Sequence, residues 1–217
     1  MGDLRIAATS SPASEVGGDY YDYFEISETL TGIFICDVSG HGVASALLLS
    51  GLRSCMHLIL EDTTNPKEVF IKLNKMVRRT QNRKMFVTAV FAVVDSTSNK
   101  ITLFNAGHLP PYKISGESSE LFKIKRHGIT LGATDNFVTK EEDNLVTFDF
   151  KKGDKLLLYT DGIVEAMDEA RNEYGFERLE DYLYKHTEDT PSALLKGLIE
   201  DVNLFTNNAE QIDDISL

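Results

Sequence analysis

The chain has 217 residues, 42% of them hydrophobic, and a formal net charge of −12 from 22 Lys and Arg against 34 Asp and Glu. That length buries a sizeable core without staples, and the ordinary apolar and charged content excludes a disordered chain. The acidic balance repels nucleic-acid phosphates and anionic lipid, so neither a nucleic-acid partner nor membrane insertion is expected.

The start, Met1-Gly2-Asp3-Leu4-Arg5, lacks the apolar stretch of a signal peptide. No apolar run reads as long enough to span a bilayer, and Cys36 and Cys55 have neither metal-site nor redox-pair spacing. The expected compartment is the cytoplasm. Gly17-Gly18-Asp19-Tyr20-Tyr21-Asp22 sets an acid behind two glycines. Ile33 to Cys36 is an apolar run that predicts a buried strand, and it stops at the turn-rich Asp37-Val38-Ser39-Gly40-His41-Gly42. A helix over Val43 to Glu61 follows, with Ala44, Leu47, Leu48, Gly51, Leu52 and Cys55 as its predicted apolar face. A second helix runs from Asn65 to Gln81, with Asn65 as cap, Pro66 as first residue and Val69, Phe70, Leu73, Met76 and Val77 as its stripe. Lys75, Arg78, Arg79, Arg83 and Lys84 cluster at its end, where they complement the helix dipole or form a docking patch for an acidic partner.

Strands dominate the next stretch. Phe86 to Val94 is rich in β-branched and aromatic residues, and Ile101 to Phe104 returns from a turn at Asp95 to Asn99 as a hairpin. Asn105-Ala106-Gly107-His108 closes that strand, before Pro110-Pro111 and another strand near Tyr112. Val146 to Phe150 alternates, Lys152-Gly153-Asp154 turns, and Lys155 to Thr160 is a buried strand ending at Asp161-Gly162. Helices are predicted over Phe176 to His186 and Ser192 to Phe205, with Asp213-Asp214 after them. Strands and helices in separate runs indicate α+β, and hairpin links indicate antiparallel sheet. A four-layer α-β-β-α sandwich of two antiparallel sheets flanked by helix pairs satisfies this order.

Asp37 and Asp161 each stand where an apolar strand meets a loop, Asp213 stands before Ile215, and Asp19 follows glycines. Carboxylates so placed can converge on one cation, and all-oxygen ligation selects Mg²⁺ or Mn²⁺ over zinc. His41, His57, His108, His127 and His186 show no zinc-ligand spacing. An Asp-Gly pair taken alone is more often a turn, so spacing leaves both readings open.

The five motifs, Gly17 to Asp22, Asp37 to Gly42, Asn105 to His108, Thr160-Asp161-Gly162 and Asp213-Asp214-Ile215-Ser216, occur in this order. Together they strongly resemble the PPM metal-dependent protein phosphatases, in particular the bacterial SpoIIE/RsbU branch, from about Ile6 to Leu217. The resemblance implies an α-β-β-α sandwich with two Mn²⁺ or Mg²⁺ ions between its sheets. By motif, Asp37 bridges both ions, the Val38 carbonyl adds a ligand, Asp161 and Asp213 complete one ion, and Asp19 holds the other through water. Asp37 and Asp161 are thus the expected catalytic residues. Two ions roughly 3.5–4 Å apart acidify a bridging water, which attacks phosphorus in line with the leaving serine or threonine oxygen. His41 is a candidate proton donor, although helix-start structure is the favoured role. Asp214 stands where eukaryotic relatives carry Asn, Asp22 is assigned a structural role, and no arginine ahead of Asp19 matches the phosphate-gripping arginine of those relatives.

The resemblance also implies a phosphoprotein substrate, an anti-sigma-factor antagonist dephosphorylated in partner switching. Residues 1–217 are expected to be a single catalytic domain of a larger signalling protein, with an upstream sensor domain or a homodimer contact at the first two helices. A non-catalytic regulatory module of the same fold and a small-molecule phosphoesterase are the alternatives. A chain stopping at Leu217 is expected to shorten the last strand and weaken the hold on Asp213.

Overall fold

Strict alternation along the strands sorts the apolar residues into three separate cores. The computed structural model describes residues 4–15, 17–40, 42–80, 85–125, 128–135, 137, 145–207 and 209–217. In chain order the elements are β1 (Ser10–Ser11), β2 (Asp19–Glu25), β3 (Leu30–Val38), α1 (Val43–Asp62), α2 (Pro66–Thr80), β4 (Val87–Asp95) and β5 (Lys100–Ala106). They continue with β6 (Tyr112–Ile114), β7 (Leu121–Lys123), β8 (Leu145–Asp149), β9 (Lys155–Leu157), α3 (Gly175–Lys185), α4 (Pro191–Thr206) and β10 (Ile215–Ser216). One sheet has the order β2-β3-β4-β5-β8 and another β7-β6-β9, and β1 pairs with β10. Every strand pairing in these ladders is antiparallel.

Along β3, Phe34, Cys36 and Val38 join a core with Leu48, Leu52 and Met56 of α1 and Val69, Phe70, Leu73 and Val77 of α2. The intervening Ile33 and Ile35 join Val90, Ala92, Val94, Ile101 and Leu103 in an inner core with Leu156 and Leu158 from the other sheet. The third core sets Tyr112, Ile114 and Tyr159 against Leu179 and Leu183 of α3 and Leu194, Leu198 and Val202 of α4. Helices, sheet, sheet and helices are therefore stacked with apolar contact at each boundary. This is the expected four-layer α+β sandwich, to which the structure adds the short β1–β10 pair.

The expected helix boundaries hold within a residue or two. Asn65 Oδ1 accepts from the Lys67 amide at 3.0 Å ahead of Pro66, and Thr190 caps α4 through the Ala193 amide at 3.3 Å ahead of Pro191. The α1 face is corrected. Ser45, Leu48, Leu52, Met56 and Ile59 are buried, whereas Leu47 is 70% exposed. This helix is apolar nearly all round, so periodicity could not choose a face. It is also the one helix among the described residues long and apolar enough, by length and composition, to cross a membrane. That corrects the expectation that no apolar run reaches such a length, although its buried row packs in the first core. Of the basic cluster, Arg78 binds Asp135 and donates to the Gly132 carbonyl at 2.9 Å, tying α2 to the segment between β7 and β8. Gln81, Arg83 and Lys84 lie outside the described residues.

The last strand is short but anchored. Thr9 and Leu217 exchange backbone hydrogen bonds of 3.2 and 3.1 Å, and Ile215, Ser216 and Leu217 are buried. The Thr160 amide donates to the Ser216 carbonyl at 3.0 Å, joining this pair to the segment that continues from β9.

Phe70 is fully buried and stacks on Phe104, with centroids 5.1 Å apart. Phe70→Ala is expected to lower stability by about 3–5 kcal/mol, read as a lower urea midpoint with unchanged slope.

Candidate functional site

The register of β2 and β3 places Asp19 directly opposite Asp37. Asp37 follows Ile33 and Ile35 on the face that lines the inner core, and Asp19 shares that face with Tyr21. Both carboxylates therefore sit at the open end of the space between the sheets. Asp22 falls on the opposite parity. It accepts from the Tyr20 hydroxyl and lies 3.6 Å from Arg53 of α1, a structural position as expected.

The segment beyond β9 and the residue before β10 supply the facing acids. Beyond β9 the chain passes Leu158, Tyr159 and Thr160 and turns at Asp161. Carboxylate oxygens of Asp161, Glu165 and Asp213 lie within 4.8 Å of one another. Gly162 permits this approach, because a Cβ there would stand 2.1 Å from the Asp214 carbonyl oxygen. Gly18 plays the same part in the first sheet, where a Cβ would meet the Val38 carbonyl oxygen at 2.9 Å. The Val38 amide donates to the Gly18 carbonyl at 3.0 Å, so the Val38 carbonyl, the expected backbone ligand, lies beside the Asp19 loop while its side chain is buried in the first core.

Asp214 has a distinct task. Its buried carboxylate accepts from the amides of Ala13, at 2.7 Å, and of Gly18 and Asp19, clasping the loop that carries Asp19. Asp213 beside it is exposed and accepts the Asp214 amide at 2.8 Å. Thr160 completes the frame: its hydroxyl donates to Asp19 Oδ2 at 2.7 Å and accepts from the Ser216 amide at 2.9 Å. His41 lies outside the described residues.

Burial and like charge make this arrangement costly. Burial, then the Asp37 charge, pushes Asp19 up to about 8 against the lowering bond from Thr160. Burial pushes Asp37 up to about 7, and the charges of Asp161, Asp213, Asp214 and Glu165 push the same way. Asp161 is raised by burial and then by Asp213, and Glu165 by burial and then by Asp161 and Asp213. An all-oxygen set of clustered carboxylates beside a backbone carbonyl fits a hard divalent cation such as Mg²⁺ or Mn²⁺.

The structure thus sets Asp19 against Asp37 and groups Asp161 with Asp213, with Asp37 feeling the charge of both. Sequence reasoning missed Glu165 and Thr160. The only signal for Glu165 is its one-turn spacing from Asp161, made local by the Glu165 amide bond to the Asp161 carbonyl at 2.8 Å. Thr160 carried no signal beyond standing next to Asp161.

A family model described as Stage II sporulation protein E (SpoIIE) matches residues 27–217. The chain belongs to the SpoIIE family. It is 29% identical over 217 residues to the phosphoserine phosphatase RsbU of Bacillus subtilis (strain 168), an alignment covering 99% of this chain and 62% of RsbU. Among solved structures, the SiaA-PP2C domain of Pseudomonas aeruginosa superposes with a TM-score of 0.85 at 21% identity, covering 97% of this chain and 82% of that domain. The catalytic domain of the serine/threonine protein phosphatase PstP, solved with two manganese ions, superposes with a TM-score of 0.68 at 14% identity, covering 97% and 94%. These two likenesses show the fold.

The raised carboxylates set the pH dependence of the metal-free protein. Unfolded, Asp19 and Asp37 titrate near about 3.9. Between there and their folded values of about 8 and about 7, the folded chain binds more protons than the unfolded one. Stability is therefore lost as pH rises through that window. In chelator, the melting temperature is expected to fall from about pH 5 to about pH 8 more steeply in the wild type than in Asp37→Asn. A steeper fall in the variant would contradict the assignment.

Proposed function

We propose that this chain is a metal-dependent protein serine/threonine phosphatase, holding two Mn²⁺ or Mg²⁺ ions at Asp19, Asp37, Val38, Asp161 and Asp213. The observation that carries the reading is the convergence of Asp19 and Asp37 from one sheet with Asp161 and Glu165 beyond β9 and Asp213 before β10, the charges of Asp161, Asp213, Asp214 and Glu165 all acting on Asp37. Kinship with RsbU, named a phosphoserine phosphatase, and the two manganese ions of PstP in the same fold support it.

Within this reading the chain's own groups divide the work. Asp37, opposite Asp19 in the ladder and within the field of Asp161 and Asp213, would be the carboxylate shared between the ions. Thr160 orients Asp19 by donating to Oδ2. Asp161 and Asp213 hold the opposite wall, with Glu165 adding a third carboxylate at its rim. When bound, the cations supply a water acidic enough to ionise near neutral pH and neutralise charge on the phosphoryl oxygens. Cys36 is fully buried and its thiol is pushed well up, first by burial and then by Asp19 and Asp37, which argues against a cysteine nucleophile there.

The chain spans 62% of the length of RsbU. We read residues 1–217 as one catalytic domain of a cytoplasmic signalling protein, acting on phosphoserine or phosphothreonine of an anti-sigma-factor antagonist. An upstream sensor domain or homodimerisation would control it.

Phosphate release from p-nitrophenyl phosphate and from a phosphoserine-bearing anti-sigma-factor antagonist, with Mn²⁺ or with chelator, tests the proposal. Asp37→Ala and Asp161→Ala are expected to lower turnover by at least about a hundredfold, since each removes a metal ligand. Activity in chelator, or activity surviving both substitutions, would refute the mechanism. Tight Mn²⁺ binding without hydrolysis would indicate a non-catalytic module. Turnover of small phosphoesters but not of the phosphoprotein would indicate a metabolite phosphoesterase.

A further inference from the structure

The motif Asn105-Ala106-Gly107-His108 takes no part in the metal cluster, yet its polar atoms are buried and bonded. Asn105 is fully buried; its Oδ1 accepts from the His108 amide at 2.8 Å and its Nδ2 donates to the His108 carbonyl at 3.1 Å. Gly107 turns the chain at φ +74, where a Cβ would stand 2.6 Å from Thr130 Cγ2. The outcome is a His108 side chain thrust between the two sheets, only 5% exposed.

Both ring nitrogens are engaged there. Nε2 lies 3.1 Å from the Tyr159 carbonyl oxygen, and Nδ1 lies 2.8 Å from Thr88 Oγ1. A carbonyl oxygen can only accept, so Nε2 carries the proton, and the bare Nδ1 accepts from the Thr88 hydroxyl. Burial holds the ring well below its usual range, at about 4, so it is neutral at working pH.

The two partners are next to the two halves of the candidate site. Thr88 is the residue directly opposite Asp37 in the β3–β4 ladder. Tyr159 immediately precedes Thr160, which binds Asp19, and stands two residues before Asp161. A single imidazole therefore connects the strand beside Asp37 with the segment carrying Thr160 and Asp161, across the gap between the sheets.

Resting on the reading of this cluster as a metal site, we propose that His108 is a positioning residue: the Thr88–His108–Tyr159 bridge sets the separation of Asp37 from Asp161 that cation binding requires. It touches neither cation nor substrate. Groups that orient metal ligands at one remove characteristically govern metal affinity, and losing one weakens binding by tenfold or more.

Calorimetric Mn²⁺ titration of the whole chain, set beside the Mn²⁺ dependence of p-nitrophenyl phosphate hydrolysis and melting in chelator, tests this. His108→Leu removes both bonds and is expected to weaken Mn²⁺ binding about tenfold. His108→Gln keeps a donor for Tyr159 and an acceptor for Thr88 and is expected to remain within about threefold of wild type. Thr88→Val is expected to weaken binding and Thr88→Ser to restore it. If His108→Leu does not fold, the Gln, Val and Ser variants decide the matter by the same ordering. Lower melting temperatures with unchanged Mn²⁺ affinity would overturn the proposal, leaving His108 a core residue only. Wild type that binds Mn²⁺ without hydrolysis would overturn the phosphatase reading alone, because the calorimetric ordering still decides this one. Wild type that binds no Mn²⁺ would overturn both.

Discussion

Carboxylates repel, and here Asp19, Asp37, Asp161, Glu165 and Asp213 are held at one end of a sandwich. Two of them are cross-strand neighbours and three are within 4.8 Å of one another. Like charges placed opposite on paired strands destabilise a sheet, and burial adds a desolvation cost. The surrounding structure has to impose the arrangement against that resistance. It does so with backbone pairing, close steric fit and hydrogen bonds. The ladder register sets Asp19 against Asp37, the missing side chains of Gly18 and Gly162 let backbone segments touch, and Asp214 gathers three amides of the adjoining segments. A divalent ion bound there would convert the same repulsion into coordination.

Separating the apolar residues into three layers makes the arrangement possible. The outer cores secure each sheet to its own helix pair, and the inner core, made from the alternate residues of the same strands, sets the distance between the sheets. Odd positions of β3 face inward, so Ile33 and Ile35 build the inner core and Asp37 emerges on its rim. Strand parity likewise separates Asp19, which faces the rim, from Asp22, which binds Tyr20 and meets Arg53 of α1.

Much of this was legible in the residues themselves. Asp37 and Asp161 declared themselves by ending apolar runs, and the caps at Asn65 and the proline at 191 marked helix starts within a residue. The ordered motifs then supplied what spacing alone left open between a turn and a ligand. Other features had no local signature. β2 is a run of tyrosines and aspartates at the edge of its sheet, without the apolar density that marks a strand, so its acids drew notice but no strand was predicted there. The buried face of α1 could not be chosen because apolar residues surround the helix. Asp214, noticed only as standing where eukaryotic relatives carry Asn, spends its carboxylate on backbone amides. Thr160 and His108 act through contacts formed between distant segments, 141 residues apart for Thr160 and Asp19 and 51 for His108 and Tyr159, which no local pattern encodes.

The pairing of β1 with β10 joins the earliest and latest described segments beside the acids. Asp214, from the late segment, clasps the loop of Asp19, from the early one. A polypeptide emerging from the ribosome exposes Asp19 and Asp37 long before residues 213–216 exist. The acidic cluster therefore cannot close until synthesis has passed β10.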